Sequence, residues 1–276
     1  MARTGRATLA ADELNVTHSA VSRQVKALEA ALGARLFQGP KHRLTLTSAG
    51  QELLPALTGA FDQIATAVRR LRSDGEDLHL AVNASVAVKW LIPRLGDFAS
   101  QHPEIRLHME ELASQATAHR GAQAIVRITP ASRLADPLVT SFIQNHIGPV
   151  MTPVLADRFV ADPLAAPRLA AHSHPQGWAI WAAMAGFELA PASEQPFAHV
   201  HYALDAALAG LGVAIMSWPL VAEEIAEGRL VAPYGFRRAE SALALIAAPG
   251  GDSRSLTAFR RWLVEQGART PRPPTT

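Results

Sequence analysis

The chain has 276 residues, 49% of them apolar, which suits one large domain or two ordinary ones and is far too apolar for a disordered chain. The absence of cysteine excludes disulfides, thiolate metal sites and cysteine nucleophiles, and no apolar run reaches the roughly 18–20 residues that cross a bilayer. Of the net charge of +2, the first fifty residues carry +4 (Arg3, Arg6, Arg23, Lys26, Arg35, Lys41 and Arg43 against Asp12, Glu13 and Glu29), so a basic head precedes a slightly acidic body, as in a phosphate-binding module joined to another domain.

The first residues lack the apolar core of a signal peptide, which places the protein in the cytoplasm. Residues 9–14 read as a short helix with Leu9, Ala10 and Leu14 on one face. Asn15 and Val16 form a turn, Thr17 is placed to cap, and Ala20, Val21, Val25, Leu28 and Leu32 continue at helical spacing until Gly33. Two short helices across a tight turn predict a helix-turn-helix whose second helix can enter a major groove. Residues 36–47 then read as strand, basic turn and strand, a wing. Thr47 caps a long helix to about residue 72, with Leu53, Leu54, Leu57, Phe61, Ile64, Val68 and Leu71 as an apolar stripe suited to pairing with a second helix. Pro55 inside it predicts a bend or a late start.

The polar break at 73–77 marks a domain boundary. Beyond it the pattern predicts strands at 78–82, 105–109, 124–128, 139–142, 148–151, 198–201, 213–216 and 242–247. Helices are predicted at 87–101, 178–185, 202–209, 219–227 and 255–266. This alternation implies two α/β lobes with mostly parallel sheets. No internal repeat occurs, and residues 270–276 are expected to fray.

The run from Ala10 to Glu29 (AADELNVTHSAVSRQVKALE) resembles the helix-turn-helix of the LysR-type transcriptional regulators almost position for position. The similarity continues through Leu32-Gly33, Leu36-Phe37 and Leu44 to Gly50, through Trp90 to Leu95 and His102 to Ile105, and through Ala206 to Ala214 and Gly228 to Val231. Trp178 and Trp181, with the Trp90 segment, most resemble the branch of the glycine-cleavage and β-lactamase regulators. The resemblance implies an α/β protein overall: a winged helix-turn-helix domain (1–47, all-α with a small wing), a linker and dimerisation helix (48–73) and a two-lobed, periplasmic-binding-protein-like effector domain (78–276). Lobe one would take about 78–150 and 242–268, lobe two about 152–238.

In that family a further helix of about fifteen residues usually opens the DNA-binding domain, and an aromatic residue stands where this chain has Ala7. Here the chain opens where that helix should be ending, so the domain is expected to be N-terminally incomplete.

The recognition helix carries Thr17, His18, Ser19, Ser22, Arg23 and Lys26, of which residues 18, 19, 22, 23 and 26 share the face opposite Val21, Val25 and Leu28. Short hydroxyls suit phosphate oxygens or base edges, and Arg23 suits a bidentate contact with guanine, while Lys26, Lys41 and Arg43 suit phosphates. The resemblance places an effector between the lobes, at strand ends and helix N-termini where unpaired N–H groups accept an anion. Asn83, Ala84 and above all Ser85 end the first strand there. Thr129, Thr152, His201, Tyr202 and Ser217 are placed on the same cleft by analogy. Ala122 and Ala124 stand near where the family often has an acidic residue, so no particular effector transfers; an anionic, amino-acid-like or aromatic-acid ligand is implied only at the level of the family.

His172 with His174 and His199 with His201 have the two-residue spacing that shares a strand face, but no acidic residue close in sequence completes a metal site. Neither a nucleophile-elbow nor a phosphate-loop motif is present, and Gly210-Leu211-Gly212 runs into a strand rather than out of one. The reading is therefore a non-enzymatic regulator without cofactor, whose partners are promoter DNA, a small molecule, RNA polymerase and further copies of itself as a dimer or tetramer, and not a membrane. The rival readings are a cytoplasmic small-molecule-binding module that has lost DNA binding with its first helix, and an enzyme on the same two-lobed fold.

Overall fold

The computed structural model describes all residues except 1–6, 41–43, 73–76, 113–120, 160–161, 190–191, 251–252 and 275–276. The chain divides into two compact units, Met1–Ala65 and Thr66–Thr276.

In the first unit α1 (Ala7–Glu13) and α2 (His18–Leu32) meet through the turn at Asn15, whose φ of 52° is the chain's one left-handed non-glycine residue among those described. Thr17 Oγ1 accepts from the Ala20 N–H, and Gly33 closes α2 with φ 64°. Ala10, Ala11 and Val21 form the buried cluster, while Leu9, Leu14, Leu28 and Leu32 are exposed. The expected apolar face is thus only partly covered, because α1 reaches α2 through its alanines.

Strands β1 (Phe37–Gln38) and β2 (Thr45–Leu46) pair antiparallel as the wing. Glu29 Oε1 accepts from the N–H groups of Leu36 (2.7 Å) and Phe37 (3.2 Å), which fixes the wing to α2. Thr47 Oγ1 accepts from Gly50 at the start of α3 (Ser48–Arg72). A Cβ on Gly50 would strike the Leu36 carbonyl oxygen, so only glycine allows this approach. The helix begins before Pro55, so the late start does not occur: the Thr47 cap starts it, and the proline is carried inside. Leu54, Phe61 and Ile64 of its stripe are exposed, and the side chains of Val68 and Leu71 lie outside the described set.

The second unit is built on one eight-stranded sheet in the order β4-β3-β5-β10-β6-β9-β7-β8. Its strands are β3 (Asp77–Val82), β4 (Arg106–Glu111), β5 (Ala124–Pro130), β6 (Val139–Val150), β7 (Arg168–Ala171), β8 (Glu194–Phe197), β9 (Val213–Ser217) and β10 (Arg237–Ala247). Parallel triplets at each end, β4-β3-β5 and β9-β7-β8, are joined by the antiparallel pair β10 and β6. The sheet is therefore mixed rather than mostly parallel. The two short strands expected at 139–142 and 148–151 are one strand of twelve residues. Its polar middle stays in the ladder because β10 is bulged opposite it: Gln144 Nε2 donates to the Ala239 and Ser241 carbonyls (2.8 and 2.9 Å), and Asn145 Nδ2 to Ser241 Oγ.

The helix expected at 87–101 is broken into α4 (Ala84–Val86), a π turn (Ala87–Leu91), a 3-10 turn (Ile92–Arg94) and α5 (Leu95–Gln101). Pro93 has no N–H to continue an α-helical ladder. The remaining α-helices are α6 (Pro153–Arg158), α7 (Gly177–Ala185), α8 (Val200–Leu208), α9 (Ala222–Ala226) and α10 (Arg254–Arg269). Residues 198–201 are not a strand; His199 is the N-cap position of α8.

The first lobe packs α4, α5 and α10 on the sheet through Leu80, Trp90, Phe98, Leu243, Phe259 and Trp262. The second packs α8 and α9 on one core (Val150, Leu204, Met216, Val221) and α7 on another (Ile147, Trp181, Ile215). Thr270 and Pro271 are held rather than frayed: Trp90 Nε1 donates to Thr270 Oγ1 (3.2 Å) and Trp218 Nε1 to the Pro271 carbonyl (2.6 Å). Among the described residues no helix is long and apolar enough to cross a membrane.

Candidate functional site

Two surfaces carry the expected functional residues. On α2, Thr17, His18, Ser19, Arg23 and Lys26 are exposed and Ser22 is half-buried, while Val21 points into the small core. Thr17 Oγ1 also lies 3.0 Å from Ser19 Oγ, so the capping hydroxyl is shared. The helix thus presents two cations and several hydroxyls to solvent. Lys41 and Arg43 lie outside the described residues.

The second surface is where the lobes meet. Strands β3 and β5 end towards it from the first lobe, and β7, β8 and β9 from the second. Asn83 caps α4, its Oδ1 accepting from the Val86 N–H (3.2 Å), and its own N–H donates to Val126. This leaves Ser85 free of the capping role. Instead Ser85, 4% exposed, crosses to the second lobe: the His201 N–H donates to Ser85 Oγ (3.2 Å), and His201 Nδ1 lies 3.2 Å from the same oxygen. One turn further on, Lys89 Nζ meets Asp205 Oδ1 at 2.7 Å. The pairs 85–201 and 89–205 advance together, so the two helical segments run side by side in the same direction, their N-termini at the junction.

His201 belongs to an aromatic group with Tyr202 (centroids 4.4 Å apart) and the stacked ring of His199 (5.2 Å). Burial pushes the His201 pKa below the usual histidine value, helped by His199 and Lys89 and opposed by Asp205 and Glu111. Near neutral pH the ring is a neutral acceptor or donor rather than a cation.

The other expected residues divide. Thr129 lies inside β5, paired with Ala242, not after the strand. Its Oγ1 is buried without a hydrogen-bond partner, an unusual state for a native hydroxyl and one that a ligand or water would relieve. Ser217 closes β9 opposite Ile147. Thr152 does not face the junction. It follows Val150, which pairs with Ala214 near the start of β9, so it sits at the opposite end of the second lobe, where its Oγ1 caps α6. The analogy failed because β6 runs on through the lobe before turning.

Lys89 and Asp205 went unnoticed in the sequence, and His199 was weighed there only with His201 as a metal pair. Lys89 and Asp205 become partners only through a contact 116 positions apart, and nothing in either local pattern announces it. Among the described residues no cluster of three or more His, Cys, Asp or Glu can hold a metal ion.

Comparison with known proteins is consistent along the whole chain. Residues 1–51 match the family described as bacterial regulatory helix-turn-helix protein, lysR family, and residues 72–268 match the LysR substrate binding domain. The HTH-type transcriptional regulator TrpI of Pseudomonas aeruginosa is 37% identical, covering 96% of this chain and 93% of that protein. The glycine cleavage system transcriptional activator of Escherichia coli is 29% identical over 95% of this chain and 88% of its own length. Among solved structures, full-length LysG of Corynebacterium glutamicum with bound effector Arg superposes with a TM-score of 0.58 at 21% identity, covering 99% of this chain and 96% of that one.

Proposed function

The chain belongs to the LysR family of bacterial transcriptional regulators, a family of DNA-binding proteins with an effector-binding domain and not of enzymes, and on that premise we propose how this member works. Helix α2 reads promoter DNA in the major groove through Thr17, His18, Ser19, Ser22, Arg23 and Lys26, with Lys41 and Arg43 of the wing on phosphates. A small molecule binds where the lobes meet, contacting Asn83, Ala84, Ser85, Thr129, His201, Tyr202 and Ser217. Domains are assigned as 1–47, 48–73 and 78–276. The protein acts in the cytoplasm as a dimer or tetramer paired through the exposed Leu54, Phe61 and Ile64 of α3, and its ligand-dependent arrangement governs access of RNA polymerase.

The observation that carries the sensing part is the Ser85–His201 contact. A buried first-lobe hydroxyl is engaged twice by a second-lobe histidine at two helix N-termini, so a ligand that displaces His201 from Ser85 changes the relation of the lobes. The test of DNA reading is fluorescence anisotropy on a duplex from upstream of the protein's own gene, against an unrelated duplex, at two salt concentrations. Arg23→Ala is expected to lose about 1–3 kcal/mol on the cognate duplex only. Lys26→Ala weakens both duplexes alike and lowers the salt slope by about 1. Equal wild-type affinity for both duplexes would sink the reading and leave a small-molecule-binding module.

A further inference from the structure

The segment that follows α10 joins the two lobes at a second place, apart from the Ser85–His201 contact. Helix α10 belongs to the first lobe, and Pro271 decides how it ends. A proline disfavours the α conformation in the residue before it, so Thr270 turns extended (φ −65°, ψ 124°) and the chain leaves the helix. Pro273 and Pro274 follow, a composition that stiffens the segment and lowers the entropy cost of holding it in one path.

Two buried tryptophans receive this segment, one from each lobe. Trp90 lies in the first-lobe core against Phe142 (centroids 5.2 Å apart), and Trp218 packs edge-on to Phe236 (5.0 Å) in the second-lobe core. Each indole N–H finds its acceptor on the segment, Trp90 at Thr270 Oγ1 and Trp218 at the Pro271 carbonyl. The Thr270 hydroxyl donates its own hydrogen to the Gln266 carbonyl (3.1 Å), which leaves its oxygen to accept. A buried donor that lost such a partner would forfeit its hydration with nothing in return.

The two acceptors sit on adjacent residues, whose Cα atoms stay about 3.8 Å apart. Both indoles can therefore keep their bonds only while the lobes hold their present relation. A relative shift of about 2 Å takes at least one of them out of hydrogen-bond reach. Arg94 works on the same boundary. Its guanidinium stands 5.1 Å from the Trp90 ring centroid, donates to the Trp90 carbonyl (2.8 Å) and reaches Glu223 of α9 (3.1 Å). Leu220, in the 3-10 turn that Trp218 opens, packs into the first-lobe core.

We propose that the segment beginning at Thr270 is a strap that holds the lobes in this relation and releases one tryptophan before they can rearrange. The inference goes beyond the reading of α2 and of the junction as binding surfaces, and it is independent of what binds at either.

The test is hydrogen exchange of the indole N–H groups in the full-length protein, labelled with ¹⁵N at tryptophan and histidine and followed by NMR. Trp262, which donates to Asp97, and Trp178, which donates to the Leu169 carbonyl, bond within their own lobes and are the controls. Thr270→Val removes the Trp90 acceptor alone. Trp90 exchange should rise about five-fold, and Trp218, whose own acceptor is untouched, should rise with it by at least about two-fold. Pro271→Gly keeps both acceptors but frees the backbone, and is expected to speed both indoles by about two- to five-fold. Thr270→Ser keeps the hydroxyl and should hold wild-type rates. In Thr270→Val and Pro271→Gly the His201 ring, whose partner is Ser85, should titrate closer to its ordinary 6.5 as the junction takes in water. A change at Trp90 alone, an equal rise at all four indoles, wild-type rates in Pro271→Gly, accelerated exchange in Thr270→Ser, or an unmoved His201 titration would each overturn the strap. DNA binding is read separately by anisotropy, so failure of the strap and failure of the regulator reading are told apart.

Discussion

Replacing Ser85 with alanine removes the hydroxyl that His201 uses twice, through its backbone N–H and its Nδ1. Each such hydrogen bond contributes about 1 ± 0.5 kcal/mol net, and the site is buried on the serine side, so a loss of about 1–2 kcal/mol is expected. At roughly 2–4 °C per kcal/mol for a unit of this size, Tm falls by about 2–8 °C. The assay is selective by construction: the five tryptophans (Trp90, Trp178, Trp181, Trp218 and Trp262) all lie in the second unit, so thermal unfolding followed by tryptophan fluorescence reads that unit alone. Lys89→Ala is the comparison. Its partner Asp205 is 57% exposed, and such pairs are worth only about 0.2–1 kcal/mol. The expected order of destabilisation is Ser85→Ala, then Lys89→Ala. A double-mutant cycle with His201→Ala should show coupling on the order of 1 kcal/mol. A Ser85→Ala protein melting within about 1 °C of wild type, or no lower than Lys89→Ala, would refute the claim that this hydroxyl ties the lobes.

The His201 pKa is lowered in the folded chain below its ordinary 6.5, so the unfolded chain takes up the proton first. Its contribution to stability is complete above about pH 6.5 and is lost as the pH falls towards the folded value, and His201→Gln should flatten that slope in denaturant titrations read by tryptophan fluorescence. Gly267→Ala, inside α10, would ordinarily gain about 1 kcal/mol of helix propensity, yet a Cβ there would strike the Phe142 carbonyl oxygen, so a lower Tm is expected. Glu29→Ala strips the acceptor from the Leu36 and Phe37 N–H groups and should cost the first unit about 2 kcal/mol, seen as loss of far-ultraviolet helical signal while the tryptophan transition stays put.

How far the sequence could be read depended on whether each element was decided locally. Helix α2 was legible to the residue, since Thr17, the apolar spacing and Gly33 are all local signals. Ser85 was legible as a junction residue from the strand end just before it, whereas His201 was placed there by analogy on a strand that the structure does not form, and their mutual contact was not legible at all. Strand β6 was misread as two because its Gln144-Asn145-His146 centre is polar, and only the bulge in β10, nearly a hundred residues away, supplies the partners that keep it extended. The misplacement of Thr152 follows from that same error. The break after Val86 shows the opposite case: Pro93 was visible, but the widened turn before it depends on Trp90 and Leu91 reaching the first-lobe core.

The threading of the sheet also sets the order in which the protein can be completed as it leaves the ribosome. The first lobe draws Leu78, Leu80 and Trp90 from its opening strands and helices but Leu243, Leu245, Phe259 and Trp262 from the last two elements of the chain. The second lobe is one uninterrupted stretch between β6 and β10. During synthesis, which adds about 5–20 residues per second, the first unit and the second lobe can close while the first lobe still waits for its middle strand. Translation that stops before β10 would therefore release the first unit attached to a first lobe with its apolar faces uncovered. Such a product keeps the surface proposed to grip DNA without the means to respond, and its removal would fall to proteases that recognise the open lobe.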